Sequence, residues 1–433
     1  MRHLKRTVLR TLAVLPLFLF AQNSWAGSDD IAYTMRAGDN LISLSAKYLK
    51  RAGDYHLVQK YNSITDPFHI PVGRVISFPR RLLKYRPAGA KLLAVRGRVT
   101  INAAEQAEAG QMLREGARLA TAEASFATLL LDNGSRVSIP SNSDIKISLL
   151  RTYMLGGSLD YDFDVDRGGV RSAVNSLKSP DDRYRVRTPK AVSAVRGTDF
   201  QSRYDPSTNA DFAEVVEGGL AVGIVGSEGI PLPAGNGLAV PATGKVLVEK
   251  LLPPPALVTA SKLQADPELT FAAMPNQNMS GLRYSIATDA GFVDQIADIV
   301  TTSNDAKFAN IGNGNYFVRA RAISAAGIEG IPATYAFKRR LNAVNASAAR
   351  GDEGYVFRWF GQSGGVTRYH FQLYKGPITG TALVDEASLD GDRVILSDLL
   401  PGEYQWRVGS VQYADGEVAT NWTEFEKLSV GAP

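Results

Sequence analysis

Cysteine is absent from this 433-residue chain. That absence excludes disulfides, thiolate metal sites, cysteine nucleophiles and the acylated cysteine of a lipoprotein. Histidine is scarce: of four, only His56, His69 and His370 lie beyond the N-terminal apolar stretch. They share neither H-x-H nor H-E-x-x-H spacing, so no zinc peptidase site is expected. An excess of charge of one sign is missing as well. The net charge is +5, but four basic residues fall within the first ten positions, so the rest of the chain is close to neutral. A nucleic-acid partner is therefore not expected. Beyond the N-terminus no apolar run approaches the roughly 20 residues that a membrane-spanning helix needs. No transmembrane segment is expected in the mature chain.

The N-terminus carries an export pattern. Arg2, Lys5, Arg6 and Arg10 precede an apolar core over 11–20, and Ser24-Trp25-Ala26 is a small-x-small cleavage site. Residues 1–26 read as a signal peptide, which puts the mature protein in the periplasm or cell envelope. Length, abundant Gly (40) and 34 Phe plus Tyr favour several domains rich in strands and turns. The expected fold class is multidomain and mainly β.

Residues 27–80 read as strand, helix, helix, strand. Ile31–Met35 form a strand-like run, Leu41, Leu44, Tyr48 and Leu49 recur at helical spacing, and Asp39 or Asn40 can cap that helix. Leu57, Val58 and Tyr61 mark a second helix, and 74–79 alternates as a closing strand. The run Tyr33–Leu41 (YTMRAGDNL), with Lys60-Tyr61-Asn62, Ile70–Gly73 and Val75–Pro79, resembles the LysM family. Asn40 replaces the usual Thr, and the segment between the helices is slightly extended. The resemblance implies a βααβ module that binds N-acetylglucosamine-containing glycan such as peptidoglycan. It implies a groove of Gly38, Asp39, Asn40 and Leu41 facing Ile64, Thr65, Asp66, Pro67 and Phe68. The plainer reading of the same residues is turn, cap and core.

Residues 81–95 are rich in Arg and Lys and read as a basic linker, either solvated or touching anionic polymer or lipid. From 96 to 248, alternating runs are punctuated every eight to twelve residues. Asp132-Asn133-Gly134 between 126–131 and 136–139 is a strong hairpin signal. An all-β sandwich, barrel or solenoid is expected. Leu129–Val137 (LLLDNGSRV) and Thr188–Phe200 (TPKAVSAVRGTDF) resemble FecR-type domains, which occur mostly in envelope proteins. Thr188, Pro189, Arg196, Gly197 and Thr198 are its motif residues, read as structural: Arg196 on carbonyls, Gly197 in a conformation other residues avoid. Two rows alternate nearby, Asp160, Asp162, Asp164, Asp166 and Arg183, Arg185, Arg187. Both read as solvated strand faces.

Pro253-Pro254-Pro255 marks a stiff linker. Gly314–Arg319 (GNYFVR) is then echoed by Gly402–Arg407 (GEYQWR), 88 residues later. These pieces resemble fibronectin type III-like domains and imply two β-sandwiches, 253–340 and 341–433. Gly361–Gly365 fits Gly-x-Ser-x-Gly but lies between strands rather than at a strand-to-helix elbow. No catalytic residue, metal or cofactor is expected. The leading expectation is a non-catalytic peptidoglycan-binding scaffold or adaptor that presents β domains to an unidentified envelope protein. The alternatives are a regulatory or sensing partner acting through the FecR-like domain and, behind it, an unrecognised type of peptidoglycan hydrolase.

Overall fold

The computed structural model describes residues 29–195, 197–224, 229–258, 262–276, 278–363, 366–414 and 416–431. The expected signal peptide and Arg196 lie outside the described residues. Strands dominate, and the chain is multidomain. Among the described residues no helix is long and apolar enough to cross a membrane.

The N-terminal module is a two-stranded antiparallel sheet carrying two short helices. Strand Asp30–Thr34 pairs with Val75–Pro79, with Ile31 opposite Phe78. Helix Leu41–Tyr48 is capped by Asn40, whose side chain accepts the Ser43 N–H at 2.8 Å. That bond satisfies one of the donors a helix start leaves free. Helix Tyr55–Tyr61 follows. Asn62 then ties its end to the closing strand: Nδ2 donates to Val58 O and Ser77 O, and Oδ1 accepts the Ser77 N–H, all at 2.8–2.9 Å. Leu41, Leu44, Val58, Ile76 and Phe78 fill the core.

The segment expected as a basic linker is ordered structure. Residues 81–95 carry strand Tyr85–Pro87 and most of Ala90–Arg96, which pair into the next domain. Its charges have local work. Lys84 Nζ donates to Ala46 O at 2.8 Å, at the end of the first helix, where a cation meets exposed carbonyls. Just before it, Arg80 is buried against the Tyr153 ring. The segment is therefore strand rather than linker, with Lys84 engaged at the junction while Arg81, Arg86 and Lys91 stay exposed.

Strands from Tyr85–Pro87 to Leu247–Lys250 close into a barrel with two faces. Of the forms anticipated for this region, the closed one is realised. The 15-residue strand Leu159–Ala173 serves both faces. Its first half pairs with Asp144–Tyr153 and, in parallel, with Arg183–Arg187; its second half pairs with Arg136–Ile139 and Asp199–Asp205. The change of partners falls at Gly168 and Gly169. Gly168 has φ +72°, and a Cβ there would sit 2.6 Å from Ser143 Cα, so only glycine fits. Tyr161, Phe163, Val165 and Val170 of this strand enter one continuous apolar core with Tyr184, Phe200, Val215 and Leu238.

Two β-sandwiches follow. In the first, Gly314–Ser324 is central, flanked by Met279–Ala287 and Ala333–Arg339. In the second, Gly402–Ala414 is central, flanked by Val366–Lys375 and Glu417–Trp422. The echoed GNYFVR and GEYQWR thus begin the central strands of equivalent sheets. Leu282, Tyr284 and Ile286, alternate residues of Met279–Ala287 and so on one face of the strand, are fully buried.

Candidate functional site

In the N-terminal module the two predicted loops meet. The Leu41 N–H donates to Pro67 O at 2.9 Å. Leu41 and Ile64 are buried and belong to the core. Asp39 accepts from Tyr33 OH at 2.7 Å and from the Arg36 N–H at 2.9 Å. These bonds hold its carboxyl below the usual range. Asp66 does the same for its own turn, accepting from the Phe68 N–H and contacting His69 Nδ1, each at 2.8 Å; the Phe68 bond leads in holding it low. Of the nine predicted groove residues, these four and the cap Asn40 therefore hold the loops in shape. Gly38, Thr65 and Phe68 are exposed, Phe68 by 61%.

The Thr188–Phe200 motif is spread over two turns of the barrel. Thr188 and Pro189 begin the turn between Arg183–Arg187 and Ala191–Val195. Thr188 Oγ1 and the Lys190 N–H both donate to Asp211 Oδ2, at 2.5 and 2.8 Å. Burial nonetheless pushes the Asp211 carboxyl up. Gly197 has φ +94°, and a Cβ there would meet Ser176 Cα at 2.8 Å. Thr198 Oγ1 donates to Gly219 O at 3.0 Å, and Thr198 exchanges two backbone bonds with Val174. Arg196 falls outside the described residues.

The acidic and basic rows face each other, which corrects the reading of two separate solvated faces. The parallel register sets Asp160 beside Arg183, Asp162 beside Arg185 and Asp164 beside Arg187. Asp160 is fully buried and takes both Nε and Nη2 of Arg183, at 3.0 and 2.6 Å. Asp162 lies 2.8 Å from Arg185 and 2.9 Å from Arg187. Burial pushes the Asp162 carboxyl up, against the pull of those arginines. Arg183 also reaches Asp29 of the N-terminal module at 3.0 Å. The row is thus a ladder of ion pairs whose first rung is touched by Asp29 of the neighbouring module. Two alternating rows of opposite charge and equal period were the signal for it.

A second charged cluster, missed at the sequence level, joins the barrel to the first sandwich. Glu329 is buried and lies 2.8 Å from Arg283, 3.5 Å from Arg321 and 3.8 Å from Arg203. Burial alone would raise its pKa, but Arg283, Arg203 and Arg321 together hold the carboxyl well below the usual glutamate range. Its backbone N–H donates to Glu214 Oε1 at 3.2 Å. Arg203 also donates to Gly327 O. Among the described residues no group of three or more His, Asp or Glu is placed to hold a metal.

A family model described as "FecR protein" matches residues 117–220, within the barrel. No curated protein matches the chain significantly. Among solved structures, a candidate anti-sigma factor from Parabacteroides distasonis is 16% identical, with TM-score 0.26, over 31% of this chain and 59% of that one. The chain thus spans less than two thirds of that structure's length. A two-domain fibronectin type III segment of chicken tenascin is 13% identical, with TM-score 0.22, over 39% of this chain and 98% of that one. Fibronectin(III)-like modules of Clostridium thermocellum CbhA are 14% identical, with TM-score 0.19, over 41% and 94% respectively.

Proposed function

We propose that this chain is a non-catalytic regulatory or sensing component of the bacterial envelope, acting by protein contact through its FecR-type domain. The FecR match at 117–220 carries the reading. The architecture is consistent with it: the barrel is docked on both sides, by the N-terminal module and by the first sandwich, so a contact on it is presented on a firm base. The test is deletion in the native host, complemented with the wild-type gene or with Asp160→Ala to damage the barrel. A transcript profile that changes on deletion and is restored only by the wild-type gene supports the proposal. A profile unchanged by deletion overturns it.

A second reading is that the N-terminal module holds the protein on peptidoglycan. It is supported by the joined loops at Leu41 and Pro67 and by the exposed Phe68 ring beside them. A sugar face can pack on such a ring while loop polar groups take up acetamido groups. Co-sedimentation with insoluble peptidoglycan, comparing wild type with Phe68→Ala, tests it. Loss of the pelleted fraction in the variant supports the reading. Equal sedimentation of the two, or none at all, excludes Phe68 as a glycan contact.

A further inference from the structure

Between the barrel and the first sandwich lies a cleft of about 800 Å³. That is the size of a small-molecule site. One wall is the outward face of Leu159–Ala173 with its neighbours Arg136–Ile139 and Asp199–Asp205; the other includes Met279–Ala287 and Gly314–Ser324. Register brings guanidinium groups together on both walls. Arg171 stands opposite Ser138 on one side and Gln201 on the other. Arg319 and Arg321 occupy alternate positions of one strand, opposite Ser285 and Arg283.

The positive charge is only partly answered. Glu329 is shared among Arg283, Arg321 and Arg203, of which Arg283 also pairs with Asp298 at 2.6 Å and Arg203 with Glu214 at 3.1 Å. Asp199 is engaged by Arg171 through Nε at 3.1 Å and Nη2 at 2.8 Å. The third nitrogen, Arg171 Nη1, is buried and meets no acceptor among the described residues. Arg319 makes no ion pair among the described residues. Its guanidinium lies 3.7 Å from the centre of the Phe292 ring and reaches only Thr334 Oγ1 and Ala290 O, each at 3.4 Å. Arg136, exposed on the lining, makes no ion pair there either. Burial first, and then the nearness of Arg171 and Arg321, push the Arg319 guanidinium well below the usual arginine range.

A buried guanidinium N–H without an acceptor is costly, and crowded like charges add to that cost. Water can supply the acceptor but not the charge. A phosphate or carboxylate supplies both, with two oxygens side by side that a guanidinium fork matches. We propose that this cleft is an oxyanion site, which takes a small phosphate- or carboxylate-bearing ligand between Arg171 and Arg319, with the deeper Arg321 beside them and Arg136 at the mouth. The proposal does not rest on the regulatory reading or on glycan binding, and it stands or falls separately from both.

Isothermal titration calorimetry of the full chain at low ionic strength, with inorganic phosphate and separately with citrate, tests it against a matched sodium chloride blank. Saturable binding of at least one anion is expected. A preference for phosphate assigns the ligand to phosphate esters, and a preference for citrate assigns it to carboxylates. Arg319→Leu should weaken binding about tenfold or more, the worth of a charge-assisted contact. Arg136→Ala should weaken it by about threefold. Because Arg136 is exposed and makes no ion pair among the described residues, that variant should fold normally and decides the question if Arg319→Leu does not. Failure of both anions to bind saturably, or unchanged affinity in Arg136→Ala and in any folded Arg319→Leu, would overturn the proposal.

Discussion

The barrel is held at two joints, and they are built from opposite chemistry. At the N-terminal joint, Tyr153 and Leu155 of the barrel are buried in the module's own apolar cluster, at 3% and 1% exposure. Backbone bonds stitch the same seam: Lys50 N–H to Leu82 O at 2.8 Å, Lys84 N–H to Tyr48 O at 2.7 Å and Met154 N–H to Lys84 O at 3.0 Å. At the other joint a small apolar contact of Phe212, Leu251 and Ile328 sits beside a large polar one. There the two sheets meet through arginines and glutamates, with a cleft left between them. The first joint merges two cores into one. The second keeps two surfaces apart at a fixed spacing. Apolar packing closes gaps because every void forfeits contacts. Paired charges with long side chains can span a gap and leave it accessible.

The largest effect is expected in the barrel just beside the first joint, where a buried charge can be stranded. Asp160→Ala strips the buried Arg183 of its two-pronged carboxylate partner, and the expected loss is about 3–5 kcal/mol. Urea denaturation reads it directly. A loss below about 1 kcal/mol would mean that the ladder is solvated. Leu155→Ala comes next. It removes apolar volume from the shared cluster and should cost about 3 kcal/mol. Differential scanning calorimetry should then show the module melting apart from the barrel, where the wild type melts them together. Separate transitions already present in the wild type would refute the merged core.

How far these joints could be read from the sequence differs in an instructive way. Local features were legible. Asn40 caps its helix, the Asp132-Asn133-Gly134 turn joins the strands on either side, and the 88-residue echo marks equivalent central strands, because each depends on neighbours within a few residues. The buried state of Asp160, Asp162, Arg183 and Arg185 was not, although both rows were visible. Alternation shows which side chains share a face but not which strand lies next to it. Here a parallel neighbour some 23 positions on supplies the opposite charges. The linker reading of 81–95 missed a distant partner in the same way: Arg81, Arg86 and Lys91 are exposed as their charge suggests, but the backbone between them pairs with barrel strands far along the chain. Among the groove residues, Leu41 and Ile64 double as core, and no pattern separates those two roles. The Arg-lined cleft needed the relative placement of two domains, to which no local period refers.

The second joint should respond to pH. Glu329 is held below its ordinary value of 4.5 by three arginines. A depressed carboxyl contributes stability that is fully present above the unfolded value and is lost as pH falls below it. Buried Glu214 is shifted upward, chiefly by desolvation, so it contributes with the opposite sign and is favoured by acid. Glu329→Gln should cost about 2 kcal/mol at neutral pH. The difference from wild type should shrink when both are melted at about pH 3. A gap that stays constant with pH would mean that Glu329 acts through shape rather than charge.

The smallest effect is expected at the rim of that joint. Arg96 forms a two-pronged pair with Asp294 of the first sandwich, Nε to Oδ1 at 2.7 Å and Nη2 to Oδ2 at 2.5 Å. The geometry is as good as that inside the joint, but half of the Arg96 side chain is exposed. Water competes for the same groups and salt screens them, so Arg96→Ala should cost no more than about 1 kcal/mol. The remaining cost should vanish as sodium chloride rises toward about 1 M, while that of Glu329→Gln persists because Glu329 itself is buried. Thermal melts of both variants across a salt series make the test. Equal salt sensitivity would mean that the interior of the joint is as wet as its rim. Different sensitivity would place the holding interactions around Glu329, beside the cleft, so that a ligand bound there would act on the groups that fix the spacing of the two domains.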